Sequence, residues 1–239
     1  MSDALRHAQV PAAFDVGAVA YDKLVGANPG YHEHLRLSAQ RMGLPEGGRG
    51  KRLLDAGCGT GASTAALLAA APHAEIVAVD ASAGMLAEAR SKAWPGSVRF
   101  VHSHIEDIAH VGVTGPFDGI FAAYLLRNLP DPDTQLRAFH DMLNPGAPLT
   151  VHEYSVRDSA VATAVWNAVC WAIIIPAGRL RTGDASLYTY LRRSVLDFDG
   201  ASAFRDRLQR NGFTDVHSET VPGWQRNVVH TFTGRAHRP

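Results

Sequence analysis

A glycine-rich segment between Leu53 and Thr64, which reads LLDAGCGTGAST, carries the clearest chemical signal in the sequence. Gly57, Gly59 and Gly61 follow a short apolar run and precede a stretch of small helix-forming residues. Glycine is needed where the backbone adopts a positive φ or where a ligand approaches without meeting a Cβ atom. Nucleotide-like ligands bind above strand ends in such strand–turn–helix settings. The segment therefore predicts a site for such a ligand.

Three classes of ligand compete for this loop. A phosphate-binding P-loop needs a lysine after its last glycine, where this chain has Ala62, so we exclude that class. A dinucleotide site tolerates alanine as its third small residue, and Gly57, Gly59 and Ala62 fit that spacing, although the signal alone is weak. The third class is S-adenosylmethionine. Asp55 favours it, because a carboxylate there would repel a pyrophosphate and suits a ligand with ammonium and sulfonium groups.

A second carboxylate, Asp80, ends the next predicted strand about 20 residues after the loop, the position from which an acidic residue binds ribose hydroxyls. A ribose is present in dinucleotides and in S-adenosylmethionine, so Asp80 does not separate these classes. Its alternative role is structural, as the N-cap of a helix. Ser82 is itself a candidate cap for the helical segment ASAGMLAEARSKA.

Five strand patterns alternate with helical patterns between residues 51 and 155: RLLDAG, EIVAVD, SVRFVHS, FDGIFAAY and APLTVHEYS. This alternation predicts a mostly parallel sheet with helices on both faces. Two later patterns, FTDVHSETVP and NVVHTFTGR, favour an antiparallel C-terminal edge. We therefore predict an α/β, Rossmann-like fold with a seven-stranded sheet in a single domain, residues 1–239. The segment RLRTGDASLYTY is interpreted as a loop.

The composition argues against several classes of protein. The formal net charge is +0, so broad electrostatic capture of nucleic acid is not expected. Cys58 and Cys170, the only cysteines, offer neither a disulfide framework nor a thiolate zinc site. The histidines of HEH and HSH lack a third ligand, so no metal is predicted. The opening MSDALRHAQV has no apolar core of signal-peptide length, which favours a cytoplasmic protein.

One apolar stretch, VATAVWNAVCWAIIIPAG, falls short of a membrane span because polar residues interrupt it and a proline closes it. Within it, Val161, Val165, Val169 and Ile173 recur at helical spacing. This spacing favours a helix whose apolar stripe is buried or lines a pocket. The alternative is contact with a membrane surface or an apolar substrate.

The sequence resembles the class I S-adenosylmethionine-dependent methyltransferases and, more narrowly, the ubiquinone/menaquinone biosynthesis C-methyltransferase family. LLDAGCGTG and VDASAGML match the first two motifs, and FDGIFAAYLLRNLPDPDTQLRAFHDMLNPGAPLTVHEYS resembles the most characteristic block. IPAGRL, SLYTYLRRSV and NGF recur in the expected order. The glycine motif is specific only to the superfamily, whereas the LRN of this block, together with the YTYL tail, is specific to the narrower family.

The resemblance implies a division of the chain and a set of cofactor-binding residues. Residues 1–45 would form an N-terminal helical lid, 51–155 the cofactor-binding core, 156–200 a helical insertion on the acceptor side, and 201–239 the C-terminal helix and strands. The implied cofactor is S-adenosyl-L-methionine. Its predicted contacts are Tyr21, Asp55, Gly57, Gly59, Thr60, Asp80, Ala81, Met85, His104, Ile105 and Ala123.

A further group of residues contains the candidates for methyl-transfer chemistry. Arg127 suits stabilisation of a phenolate, with Asn128 assisting, because a guanidinium keeps its charge and is no base. His152 has an ordinary pKa near neutrality, which suits a base, and packing is its alternative role. His230 matches the family tail and is expected near the acceptor. Glu153 leaves two roles open, a ligand contact and a structural ion pair.

Two departures from the family pattern bear on the acceptor. His104 stands at the position that resembles the adenine contact, and Trp224, Gln225 and Arg226 replace a glycine-rich run that the resemblance places in the acceptor pocket. The expected acceptor is an isoprenoid-quinone precursor such as demethylmenaquinol, and a phenolic or polyketide secondary metabolite is the alternative. A non-catalytic binding module is the alternative from another class. We expect a small apolar-tailed partner and at most transient, peripheral membrane contact, and leave a homodimer open.

Overall fold

A seven-stranded sheet organises residues 28–182 and 185–237, the parts of the chain that the computed structural model describes. The strands are β1 (Arg52–Ala56), β2 (Glu75–Asp80), β3 (Val98–His102), β4 (Gly119–Ala123), β5 (Pro148–Tyr154), β6 (Phe213–Thr220) and β7 (Val229–Ala236). Their order is β3-β2-β1-β4-β5-β7-β6. The first five strands are parallel, and β7 is antiparallel to both β5 and β6. This confirms the predicted α/β class and the antiparallel C-terminal edge.

Helices cover both faces of the sheet. They are α1 (Tyr31–Gln40), α2 (Ala62–Ala70), α3 (Ala83–Arg90), α4 (Pro132–Met142), α5 (Ala160–Val169), α6 (Ile175–Thr182), α7 (Ser186–Asp197) and α8 (Ala201–Arg210). Successive β1 side chains point to opposite faces. Leu53 shares a buried cluster with Leu35 of α1 and Leu67 of α2, whereas Leu54 shares another with Phe139 of α4. Both faces are therefore apolar, which explains the continuous hydrophobic runs of the central strands.

Helices α5 and α6 form one long rod joined by a π turn at Cys170–Ile174, where the Ile175 N–H donates to the Cys170 carbonyl. The prediction that its valine stripe is buried is wrong at both ends, where Val161 is 73% exposed and Ile173 is 60% exposed, whereas Val165 between them is half-buried against the core. A second apolar set at the same spacing contains Trp166 and Cys170, and these side chains are fully buried. Burial of the larger indole stabilises the fold more than burial of a valine does, so the face of the helix that contains Trp166 packs against the core.

The loop predicted over RLRTGDASLYTY is wrong at both ends. Helix α6 extends to Thr182 and α7 begins at Ser186. Tyr188 on α7 is buried, and its ring lies so close to Gly178 on α6 that a Cβ at that glycine would overlap it. This packing between the two helices stabilises helical structure where the glycine and polar residues alone favour a loop.

Candidate active site

A cavity of about 640 Å³ opens at the carboxyl ends of β1, β2 and β4. Parallel strands place the segments that follow them at one edge of the sheet, which is where ligands bind in open α/β folds. Three segments supply most of the wall, namely the loop after β1, the turn after β2 and the segment after β4. The wall includes Gly57, Cys58, Gly59, Thr60, Asp80, Ala81, Met85, His104, Ile105, Ala123, Tyr124, Arg127 and Asn128.

The glycine loop is fixed by backbone contacts and leaves room for a ligand. The N–H groups of Gly57 and Cys58 both donate to the Val79 carbonyl at 2.9 Å, which ties the loop to the end of β2. Gly59 has φ 54, and a Cβ built on it would meet nothing within 4 Å. Gly57 has φ 74, and a Cβ there would approach Leu125 to 3.0 Å. The loop therefore needs glycine for its conformation at both positions, and at Gly59 there is open space.

Asp80 holds two loops together at the cavity. One carboxylate oxygen accepts the Gly59 N–H at 2.8 Å and the other accepts the Ser82 N–H at 2.8 Å. The N-cap of α3 is Ser82, whose hydroxyl accepts the Met85 N–H at 3.1 Å, as predicted. A carboxylate oxygen has capacity for more than one hydrogen bond, so Asp80 can accept further donors from the cavity that it lines.

Asp55 lies behind the wall instead of on it. Its side chain is fully buried, and one oxygen accepts hydrogen bonds from Ser63 at 2.9 Å and Thr64 at 2.6 Å. Its other oxygen has no hydrogen-bond partner within the described part of the chain. Burial raises the pKa of Asp55 to about 7, against the lowering effect of the two hydroxyls. Asp55 reaches the cavity through Ser63, which does line it.

The structure places nine of the eleven predicted cofactor contacts on the cavity wall. They are Gly57, Gly59, Thr60, Asp80, Ala81, Met85, His104, Ile105 and Ala123. The remaining two are Asp55, which is behind the wall, and Tyr21, which lies outside the described residues. The chain separates these nine residues widely, and the parallel topology brings them to one edge of the sheet.

Arg127, which lines the cavity, forms a buried ion pair with Glu153. Its guanidinium donates to Glu153 Oε1 at 2.5 Å, and Glu153 also accepts the Tyr154 N–H at 2.9 Å. The rings of Tyr124 and Tyr154 lie 5.6 and 5.5 Å from the guanidinium carbon. Burial raises the pKa of Glu153, and the positive charge of Arg127 opposes that rise. Of the two roles left open for Glu153, the structure shows the ion pair.

Asn128 is held by two neighbours. Its side-chain amide donates to the Tyr124 carbonyl at 2.9 Å, and its side-chain oxygen accepts the Tyr190 hydroxyl at 3.2 Å. Tyr190 lies on α7, so the helical region after β5 reaches the active-site wall. Tyr190 has no role predicted from the sequence, because its partner is 62 residues away in the chain. Its place in the YTYL segment was the signal that pointed toward it.

Tyr124 is the strained residue of the site. It has φ 56 directly after β4, in the left-handed region that non-glycine residues rarely adopt. Its N–H donates to the His152 carbonyl at 2.8 Å, and its hydroxyl is hydrogen-bonded to His152 Nε2 at 3.1 Å. Its ring is stacked 6.0 Å from Tyr31, which also lines the cavity. His152 therefore fixes Tyr124 from behind.

Neither of the two histidines predicted for catalysis, His152 and His230, lines the cavity. His152 is fully buried, and burial lowers its pKa to about 3, with the positive charge of Arg41 acting in the same direction. A neutral imidazole that reaches the site only through Tyr124 is a positioning group. His230 lies on β7 opposite Glu153, where burial lowers its pKa. Its ring is stacked 5.8 Å from Phe232.

The segment expected to line the acceptor pocket lies elsewhere. Trp224 and Arg226 are exposed, and Gln225 is buried with its side-chain oxygen 2.9 Å from His34 Nδ1. None of the three is on the cavity wall. In the described part of the chain, no group of three His, Cys, Asp or Glu side chains is arranged to hold a metal ion.

The fold and the cavity define a class I S-adenosylmethionine-dependent methyltransferase. A Haemonchus contortus N-methyltransferase, solved with phosphomonomethylethanolamine and S-adenosylhomocysteine, superposes with a TM-score of 0.66 at 16% identity over 100% of this chain and 62% of that one. The plantazolicin methyltransferase BamL, solved with S-adenosylhomocysteine and a desmethylPZN analog, gives 0.65 at 13% identity over 96% of each chain. At these identities the likeness concerns the fold.

The profile of the ubiE/COQ5 methyltransferase family matches residues 3–231, and the chain belongs to this family. The ubiquinone/menaquinone biosynthesis C-methyltransferase UbiE of Bradyrhizobium diazoefficiens is 33% identical over 75% of this chain and 72% of its own length. The demethylmenaquinone methyltransferase of Clavibacter sepedonicus is 30% identical over 89% of this chain and 85% of its own. The protein is thus an enzyme with S-adenosylmethionine as cofactor, which sets aside the binding-module alternative.

Proposed function

We propose that this enzyme methylates a ring carbon of an isoprenoid-quinone precursor such as demethylmenaquinol. The observation that carries the proposal is a buried, ion-paired Arg127 on the wall of the same cavity as the glycine loop. The two relatives named above support the acceptor class through their own names.

The cofactor would lie along the segments that follow β1, β2 and β3. The open space at Gly59 admits an adenosine without meeting a Cβ, and Asp80 beside it has acceptor capacity for the ribose hydroxyls. Met85 offers a polarizable thioether to a flat ring, and His104 and Ile105 border the same region. Asp55 lies behind this loop and is connected to the cavity through its hydrogen bond from Ser63.

Arg127 would stabilise the acceptor as a phenolate. A ring carbon becomes nucleophilic when the neighbouring hydroxyl loses its proton, and a fixed positive charge lowers the pKa of that hydroxyl. When bound, S-adenosylmethionine supplies the methyl group to this carbon, its sulfur keeps the electron pair of the broken bond, and the ring then releases a proton. Glu153 orients Arg127, and Tyr190 holds Asn128, the next residue on the wall, through its hydroxyl. Since His152 and His230 do not touch the described cavity, we give neither a contact with the acceptor.

The placement of Trp224 away from the cavity removes one reason to favour a different acceptor. We therefore put the phenolic or polyketide acceptor second. We also propose that residues 156–200 cover the acceptor side, since Tyr190 on α7 reaches Asn128. An apolar-tailed acceptor further implies a cytoplasmic enzyme that meets the membrane surface transiently, and a homodimer stays an open alternative.

A mass-resolved assay with S-adenosylmethionine and chemically reduced demethylmenaquinone tests the acceptor. We expect a quinone heavier by one methyl group, and a loss of rate of at least about a hundredfold in Arg127→Ala, because about 3 kcal/mol of phenolate stabilisation disappears. The matched control is Arg99→Ala, an exposed arginine on the edge strand β3, which should keep the native rate. Product from small phenols, with none from the reduced quinone, would move the assignment to the phenolic class.

A further inference from the structure

We propose that the exposed apolar side of the α5–α6 rod is a docking surface for a lipid bilayer that contains anionic headgroups. We call this surface the lipid face. Its exposed side chains are Val161, Ala164, Ala168, Trp171, Ile173 and Leu180. The inference builds on the proposed apolar-tailed acceptor, but its test needs no acceptor.

The rod is apolar on its outside as well as on its inside. Among the described residues, Ala160–Leu180 is the one helix long and apolar enough to cross a membrane by length and composition, with 21 residues and a mean hydropathy of 1.8. Only 22% of this apolar stretch is buried, so the helix is not enclosed in the core. Trp171 is 59% exposed and Leu180 is 88% exposed. A contiguous apolar surface of this kind marks an interaction site.

The rod lies along the protein surface and is anchored there. Trp166 and Cys170 pack in a buried cluster with Tyr154 and Tyr188, and the Trp166 indole donates to the Arg192 carbonyl at 3.4 Å. A helix that crossed the bilayer would have to give up these contacts. A helix with one side packed on the protein and an exposed apolar side is instead suited to lie in the plane of the membrane–water interface.

The charges beside the lipid face are basic. From residue 157 to residue 197 the chain has five arginines and three acids, Asp158, Asp184 and Asp197. Arg179 and Arg193 are exposed, and the Arg192 guanidinium lies 5.2 Å from the centre of the Trp171 ring. Basic residues near a membrane surface are attracted by anionic lipid, and tryptophan prefers the headgroup region. The lipid face therefore has the charge and the aromatic residue that an anionic interface selects.

A second copy of the chain fits this surface less well. In a symmetric pair the same patch meets itself, so exposed arginines beside one face would approach those of its mate. Like charges placed together across an interface disfavour association. A bilayer with anionic headgroups has the opposite charge, and for this reason we commit to the bilayer.

The lipid face is also connected to the active site. Helix α7 carries Arg192 and Arg193, and two residues before Arg192 it carries Tyr190, which donates to Asn128 on the cavity wall. An acceptor whose tail lies in the bilayer would thus meet the cavity beside the helix that contacts the headgroups. Docking at the lipid face would shorten the path by which a lipid-tailed acceptor enters.

Vesicle cosedimentation of the full-length protein tests the proposal. We expect binding to vesicles of phosphatidylcholine with phosphatidylglycerol, weaker binding to phosphatidylcholine alone, and weakening by salt. The double variant Trp171→Glu/Ile173→Glu should lose at least about tenfold in affinity, because two apolar side chains leave the interface. Trp224→Glu changes an exposed tryptophan elsewhere and should bind as the wild type does. Both variants alter exposed residues, so an unchanged urea midpoint checks that each is folded.

Two results would overturn the inference. One is equal vesicle binding by wild type and the Trp171/Ile173 variant. The other is an absence of vesicle binding together with a dimer, seen by sedimentation, that this variant abolishes, which would assign the surface to a second copy. The acceptor assignment is judged separately. If reduced demethylmenaquinone gave no product while the lipid face bound vesicles, the acceptor would be wrong and the surface would stand.

Discussion

At the scale of single residues, the site depends on charges that are buried with their partners. Arg127 and Glu153 are each less than a tenth exposed and hydrogen-bonded to one another. A buried pair of this kind contributes little net stability compared with apolar residues, but removal of one partner leaves an uncompensated charge. The pair therefore gives Arg127 a fixed position on the cavity wall, which a solvent-exposed arginine would not have.

Glu153→Gln should destabilise the protein by about 3–5 kcal/mol, because Arg127 would remain charged and buried without its partner. Urea unfolding measures the change. Glu219→Gln is the matched control, since Glu219 pairs with Arg41 at 3.4 Å but its side chain is 51% exposed. We expect less than about 1 kcal/mol there. Equal losses in the two variants would show that the Arg127 pair is energetically an ordinary surface contact.

Asp55 gives the protein a specific dependence on pH. Its folded-state pKa, about 7, lies above the ordinary value of 3.8. Between these two values the folded protein keeps a proton that the unfolded chain has lost, so this group lowers stability as the pH rises, by up to about 1.4 kcal/mol per pH unit. Asp55→Asn cannot ionise and should lack this decline. Urea unfolding between about pH 5 and about pH 7 tests it, and parallel curves for the two proteins would contradict the pKa.

His152 should not set the pH dependence of catalysis. Burial lowers its pKa to about 3, so the imidazole is neutral throughout the range in which enzymes are assayed. His152→Gln should reduce kcat, because Tyr124 loses a hydrogen-bond partner, while the midpoints of the profile between about pH 5 and about pH 8 stay where they are. A shift of the acidic midpoint in this variant would show that His152 titrates near neutrality and serves as the base.

At the scale of elements, the glycine loop shows how a conformation and an open space are needed together. Gly59 and Gly43 both have positive φ, 54 and 64, and a Cβ added to either glycine would meet no atom within 4 Å. The two differ in their surroundings, because Gly59 lines the cavity and Gly43 does not. Alanine at either position meets the same backbone strain, so the pair separates strain from ligand contact.

Gly59→Ala should lower the affinity for S-adenosylhomocysteine by at least about tenfold, because a methyl group would stand where the ligand approaches. Both Gly59→Ala and Gly43→Ala should lower the free energy of unfolding by about 1 kcal/mol, because both meet the same backbone strain. Gly43→Ala should keep the native affinity for S-adenosylhomocysteine. Calorimetric titration and urea unfolding give the two numbers. If both variants bound the ligand as the wild type does, the loop would not be its binding site.

The elements also show which features the sequence could predict. All seven strands were predictable, because the central parallel strands give short continuous apolar runs and the two C-terminal strands give separate extended patterns after the last helix. Which side of the α5–α6 rod is exposed could not be predicted, because the valines and the set that contains Trp166 both repeat at helical spacing. Only the packing of the folded protein determines which of the two sets is buried. The start of α7 was missed because its helix is stabilised by the contact of Tyr188 with Gly178.

The candidate site also has features that the sequence could predict and features that it could not. Gly59, Asp80 and Arg127 lie at or shortly after strand ends, and all three line the cavity because the parallel topology brings these strand ends to one edge. His152 was expected to be able to act as a base, but this depended on side-chain burial that no sequence pattern reports. The contact of Tyr190 with Asn128 likewise requires knowledge of how α7 packs.

At the scale of the whole molecule, ligand binding and folding are linked. Segments after β1, β2 and β4 all contribute to the cavity, so a bound ligand should stabilise the native state as one unit. S-adenosylhomocysteine at about 100 times its Kd should raise the free energy of unfolding by about 2.7 kcal/mol. The shift of the urea midpoint measures it, and the Gly59→Ala protein should show less of it at the same concentration.

The position of β7 inside the sheet, between β5 and β6, has a consequence for how the protein is made. Synthesis delivers β1 to β5 first, so a nascent chain can assemble the glycine loop and Asp80 while β5 still has an open edge. Glu153 lies on that strand opposite His230, so its surroundings close only after β7 has left the ribosome. The glycine loop and Asp80 are therefore synthesised before the strand that completes the surroundings of Glu153, and we expect S-adenosylmethionine to stabilise the partly synthesised chain as a folding ligand.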